Sequence, residues 1–152
     1  QEIEKIEEII EKLPMVDFHI GALTNMGPRL LDLGLRENVY LHPGISQAEY
    51  ESLLEQSSLY LDINHSIEIL NAVEESLGKG LLLFACKETQ HRRDFICPEH
   101  LASSQDAADL IDAIKKVVVS EEMYHLALQK QWKWIQSSTK EDYNRAFRKV
   151  EN

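Results

Sequence analysis

The stretch Leu59–Cys86, "LYLDINHSIEILNAVEESLGKGLLLFAC", decides how this chain is built. It opens on a short apolar run, Leu59 to Ile63, and passes through the polar trio Asn64, His65 and Ser66. Apolar residues then recur at helical spacing until Gly78 and Gly80, and an almost wholly apolar run, "LLLFAC", closes the stretch. A strand, a helix and a second strand in about thirty residues form a βαβ unit, whose two strands must lie parallel. An uninterrupted apolar strand suits a parallel sheet covered on both faces.

Working outward, the same alternation continues. Residues 2–12, "EIEKIEEIIEK", put Ile3, Ile6, Ile9 and Ile10 on one face of an amphipathic helix that Leu13-Pro14 ends. "MVDFHIGA" (15–22) and "NVYLHPG" (38–44) read as strands, with a short helix opened by Pro28 between them. Ser46 and Glu49 have the spacing of a capping box for a helix ending near Ser57. After the apolar strand, "KETQHRRDFICPEHLASS" is a polar connection in which Phe95 to Cys97 can add a short strand. Helices are expected over 106–119, 121–136 and 140–149. The fold class is therefore α/β: a Rossmann-like open parallel sheet flanked by helices, with extra C-terminal helices. Residues 1–119 form the sheet domain, and 120–152 pack on it or on a further domain. A Rossmann-like half normally opens on a strand, whereas this chain opens on a helix. At least one strand, and a preceding domain, are expected upstream of Gln1.

Composition bounds the function. The 152 residues are 43% hydrophobic and 28% charged, ordinary for a globular domain, and no apolar run is long enough for a transmembrane helix. A net charge of −10 argues against a nucleic-acid surface. Cys86 and Cys97 make no CxxC motif, and two cysteines are a poor disulfide framework, which favours a reduced, cytoplasmic setting. The six histidines show no HxH or HxxxH spacing, so no metal site is expected.

In an open α/β sheet, ligands sit beyond the carboxyl ends of the strands. Three junctions qualify: 21–27, 42–46 and 64–68. At the third, a helix starting near Ser66 or Ile67 would offer the amides of Ile67, Glu68 and Ile69 and a positive dipole end to a diphosphate. His65 can donate to a phosphate oxygen, and Glu75, about two turns on, can accept from ribose hydroxyls. The plainer reading is that Ser66 or Asn64 caps the helix and the glutamates face water. His91, Arg92 and Arg93 form a basic cluster that either reaches an anion or is a solvated loop. Asp62 reads as a strand residue alternating outward, and Trp132 and Trp134 as a seam against a neighbouring domain.

The ordered run from "MVDFHIGALTNMGPRLLDLG" through "YLDINHSIEILNAVEES" to "LLLFA" resembles the C-terminal, nucleotide-sugar-binding domain of GT-B glycosyltransferases. "YLDINHSIEILNAVEES" and "FACKETQHRRDFI" look most like the bacterial enzymes and partner subunits that glycosylate serine-rich adhesins before accessory Sec export. The resemblance covers residues 1–118. It implies a UDP-sugar donor, rather than a separate cofactor, and transfer of a hexose or N-acetylhexosamine to a protein or glycoprotein acceptor. The facing N-terminal domain would complete the site, so this fragment alone is expected to be inactive. The family motif is two Glu separated by seven residues, the later one binding ribose. Aligning on "LLLFA" puts Glu75 at the ribose place, but the earlier place falls on Ile67, and only six residues separate Glu68 from Glu75. That departure keeps a second reading open: a non-catalytic partner subunit that stabilises a glycosyltransferase and recognises its acceptor.

Overall fold

A computed structural model describes residues 5–64, 71–91, 95–103 and 107–151. The elements follow in the order α1 (Ile6–Lys12), β1 (Phe18–Gly21), α2 (Pro28–Leu33), β2 (Val39–His42), α3 (Gln47–Gln56), β3 (Leu59–Asp62), α4 (Ala72–Gly78), β4 (Leu82–Cys86), β5 (Leu101–Ala102), α5 (Ala107–Val118) and α6 (Glu121–Glu151). Every strand pairing among them is parallel, as βαβ connections require. The α/β parallel architecture flanked by helices is thus the one the sequence implies.

The pairings fall into two ladders. β1 and β2 pair with Phe18 opposite Val39 and Gly21 opposite His42, while β3, β4 and β5 form a second ladder in that order. β4 is buried along its whole length, which explains its unbroken apolar sequence. Strand alternation sends Phe18, Val39, Leu82 and Phe84 into one large core with Ile6, Ile9 and Ile10 of α1, Leu30 and Leu33 of α2, and Leu110 and Ile114 of α5. The opposite face is covered by α3 and α4, through Tyr50, Leu54 and Ala72 around Tyr60.

Local signals act as their chemistry dictates. Ser46 Oγ accepts from the Glu49 amide at 3.2 Å, closing the N-terminus of α3. The Glu49 carboxylate takes the Ser46 hydroxyl at 3.0 Å. Pro28 occupies the first turn of α2. Cys86 and Cys97 are both buried free thiols.

Three expectations change. The short strand is not at Phe95 to Cys97: Pro98, which has no N–H for a ladder, opens a 3-10 turn over Pro98–His100, and pairing begins only at β5. The two helices expected after Glu121 are one, α6, because no Gly or Pro lies between 121 and 151 and the Ser-Ser-Thr run does not stop it. Asp62 does not alternate outward; it is 2% exposed.

α6 also supplies something periodicity does not reveal. Tyr124, Ala127, Leu128 and Ile135 pack on the sheet, and in the same stripe stands Gln131, 1% exposed. Its Oε1 accepts from the Leu83 amide at 2.8 Å and its Nε2 donates to the Leu81 carbonyl at 3.0 Å. β5 covers β4 only at Ala85 and Cys86, so Gln131 completes the rest of that strand edge. Trp132 and Trp134 lie on α6 as exposed side chains.

His100 gives a pH signature. It is buried against the Phe84 ring, centroids 4.5 Å apart, with no hydrogen-bond partner on Nδ1. Burial holds its pKa below the ordinary 6.5, so the folded chain resists a proton that the unfolded chain accepts. Stability is therefore full above about pH 6.5 and is lost as the pH falls toward the folded value. His19 carries the same sign, through burial and then the nearby His42 charge. Urea midpoints at pH 7.5 and 5.5 are expected to drop further for the wild type than for His100→Phe; equal drops would contradict this.

Candidate functional site

At the carboxyl ends of the strands stand Gly21 and His42 on one ladder, and Asp62, Asn64 and the loop after β4 on the other. Asp62 ends β3 with its side chain turned under that loop. One carboxylate oxygen accepts from the His91 amide at 2.6 Å, and the other lies 2.5 Å from His91 Nδ1. Thr89 Oγ1 donates to the Asp62 carbonyl at 2.9 Å, and the amides of Thr89 and Gln90 turn back onto the Cys86 carbonyl. These bonds fasten residues 87–91 across the end of β3. A carboxylate can only accept, so His91 Nδ1 carries the proton; Nε2 then accepts when the ring is neutral and donates when it is charged. A half-buried imidazole oriented by a buried carboxylate is a fixed polar group at the mouth of the sheet, suited to holding an anionic or hydroxyl-bearing ligand.

Of the residues named from sequence, Glu75 is described: it is partly buried in the first turn of α4. The described helix begins at Ala72, and the helix start expected near Ser66 or Ile67 lies outside the described residues. Asn71 precedes it with φ 53° and no side-chain cap. His65, Ile67, Glu68 and Ile69 lie outside the described residues, as do Arg92 and Arg93. His91 is placed at the site, joined to Asp62 and Thr89, which sequence reading missed. The available signal was a lone acid inside "LYLDI" followed, one strand later, by Thr89 and His91.

A second polar group stands on the β1–β2 ladder. His19, Tyr40 and His42 share the face opposite the core, with His19 Nδ1 3.0 Å from His42 Nε2 and the His19 ring stacked on Tyr40 at 4.8 Å. Among the described residues no group of three or more His, Cys, Asp or Glu is placed to hold a metal.

A cavity of about 990 Å³ lies not at the strand ends but between the ladders. It runs along the length of β1 and β3, with Tyr50 and Leu54 of α3 on one side and Ile114 and Val117 of α5 on the other. Asp62, Asn64 and His91 border it at one end.

Comparison with known proteins adds four facts. The family described as the GftB/GlyA-F C-terminal domain matches residues 1–131. A Streptococcus pneumoniae protein named UDP-N-acetylglucosamine–peptide N-acetylglucosaminyltransferase stabilizing protein GtfB is 38% identical over 130 residues, 86% of this chain and 29% of that protein. Among solved structures, a GtfA/B complex bound to UDP and GlcNAc superposes with a TM-score of 0.82 at 32% identity, over 89% of this chain and 30% of that one. The S. pneumoniae glycosyltransferase GlyE superposes with a TM-score of 0.67 at 33% identity, over 74% and 29%. The chain thus spans about 29% of the length of the GtfB relative.

Proposed function

Because this chain belongs to the GftB/GlyA-F C-terminal domain family, we propose that it is the C-terminal part of a non-catalytic partner subunit, one that stabilises a glycosyltransferase and engages its protein acceptor. The observation that carries this reading is the 38% identity, over most of the chain, to a protein named for stabilising an N-acetylglucosaminyltransferase. The site's chemistry agrees with it. The Asp62 carboxylate is engaged at both oxygens by His91, and the paired-glutamate spacing of the donor site is one residue short. The partner is the glycosyltransferase, the acceptor is a protein or glycoprotein, and the setting is the cytoplasm. No described helix is long and apolar enough to cross a membrane.

The test uses the full-length protein and the glycosyltransferase it accompanies. The enzyme's thermal midpoint is expected to rise by several degrees in the mixture, as binding to the native state requires. An unchanged midpoint, with both proteins at saturating concentration, would sink the proposal.

A second reading, the donor-binding half of a glycosyltransferase, is favoured by the fold shared with GlyE and with the complex that holds UDP and GlcNAc. In it, the amides of Ile67, Glu68 and Ile69 with His65 hold the diphosphate, and Glu75 holds the ribose. Calorimetric titration of UDP into the full-length protein separates the two. The donor reading expects binding that Glu75→Ala weakens about tenfold, the loss of one to two hydrogen bonds, and Glu74→Ala leaves nearly intact. The partner reading expects no heat at millimolar UDP.

A further inference from the structure

We propose that His19 and His42 form a two-histidine site for a borderline divalent transition metal such as Zn²⁺. The chain has no HxH or HxxxH spacing, and these two residues stand 23 positions apart. Strand register removes that separation. β1 and β2 are parallel, with His19 opposite Tyr40 and Gly21 opposite His42. Alternation sends all four to one face, while Phe18 and Val39 turn to the other and enter the core. Gly21 brings no side chain to the place beside His42. The two imidazoles stack with centroids 5.3 Å apart, and His19 Nδ1 lies 3.0 Å from His42 Nε2. His19 is exposed and His42 half-buried, so an ion can reach both.

The nitrogen separation is the bite of a metal-binding pair. Two nitrogens 3.0 Å apart, each about 2.1 Å from one ion, subtend about 90°, the angle between neighbouring ligands of an octahedral or tetragonal ion. A tetrahedral ion needs about 3.4 Å between them, an opening of a few tenths of an ångström. Imidazole suits Zn²⁺, Ni²⁺ and Cu²⁺, whereas Mg²⁺ and Ca²⁺ take oxygen ligands. When both rings are neutral, the proton between them moves to the other nitrogen of its own ring. Each ring then turns a lone pair on the ion. The surroundings hold the rings in place. Tyr40 stacks on His19 at 4.8 Å with the planes 14° apart, which fixes the His19 ring. The Phe18 amide bonds the Asn38 carbonyl and the Ala22 amide bonds the His42 carbonyl, so the ladder is pinned on either side of the pair. The Asp17 carboxylate is close enough to act on His19, and its charge favours a cation there. Water takes the remaining positions, so the ion is held more weakly than by the three or four ligands of a dedicated zinc site. Bound there, it ties β1 to β2 only in the folded chain and therefore stabilises it.

Calorimetric titration of Zn²⁺ into the metal-free full-length protein at pH 7.5 tests this. His19→Ala and His42→Ala are each expected to weaken one zinc site at least about tenfold. His125→Ala, an exposed histidine on α6, should leave that site unchanged. Zinc should raise the thermal midpoint of the wild type and of His125→Ala more than that of either site variant. One equivalent of Cu²⁺ gives a readout that needs no variant: its electron paramagnetic resonance should show coupling to two imidazole nitrogens. No heat at millimolar Zn²⁺ would mean that the pair is only a hydrogen bond between two rings, and would overturn the proposal. Equal affinity in the wild type and both site variants would place the ion elsewhere and overturn it too. So would a loss confined to one of the two variants, or copper coupled to a single nitrogen, since either means one imidazole acting alone.

Discussion

Gln131→Leu is expected to cost about 2–4 kcal/mol of folding stability. Leucine has nearly the shape of glutamine and keeps the apolar contacts of the stripe. It removes both hydrogen bonds to β4, leaving the Leu83 amide and the Leu81 carbonyl inside the core with no partner. Each such buried group costs about 1–3 kcal/mol, and the two penalties fall on the same strand edge. Gln131→Glu tests direction: it keeps an acceptor for Leu83 but loses the donor to Leu81 and buries a charge, so it should be no milder. Lys130→Ala, on the exposed side of the same helix, is the control and should stay within about 0.5 kcal/mol. Urea denaturation reads all three; a Gln131→Leu midpoint equal to the control would show that the strand edge finds other partners.

The second large effect is at Asp62. Asp62→Ala is expected to destabilise by about 3 kcal/mol and to free the 87–91 loop, because a carboxylate accepting from an amide and an imidazole makes charge-assisted bonds of about 1.5–3 kcal/mol each. The sum is discounted because His91 is partly exposed and water can serve it. Asp62→Asn should cost only about 1 kcal/mol. Its carbonyl can still accept from the His91 amide, while its NH2 donates to Nδ1 once the ring changes tautomer. His91→Ala takes the imidazole donor from a buried carboxylate, so the double variant should lose less than the sum of the singles by about 1–3 kcal/mol. Additive losses in that cycle would mean that the two side chains are not coupled. Proteolysis of the 87–91 loop gives an independent readout of whether it has come loose.

Recognition of the site from sequence was uneven for a physical reason. The capping role of Ser46 was readable because a cap is a contact over three residues, and its chemistry is local. Glu75 could be named from alignment to a motif, yet its position in the first turn of α4 depends on where that helix begins. Asp62 was misjudged because alternation along a strand says which face a side chain takes, not what covers that face. The loop that returns over it is 29 residues away.

The sequence by itself determined most of the elements and their parallel pairing. Period-3.6 and period-2 apolar spacing, proline and glycine punctuation, and the need for helical crossovers between parallel strands are all local or nearest-neighbour constraints. Only the tertiary structure decided what completes the strand edges and ends. Gln131 reaches β4 across 48 positions, His91 reaches Asp62 across 29, and β1 and β3 face one another across a cleft. A buried polar group needs a partner wherever in the chain it comes from, and hydrophobic periodicity carries no record of that address.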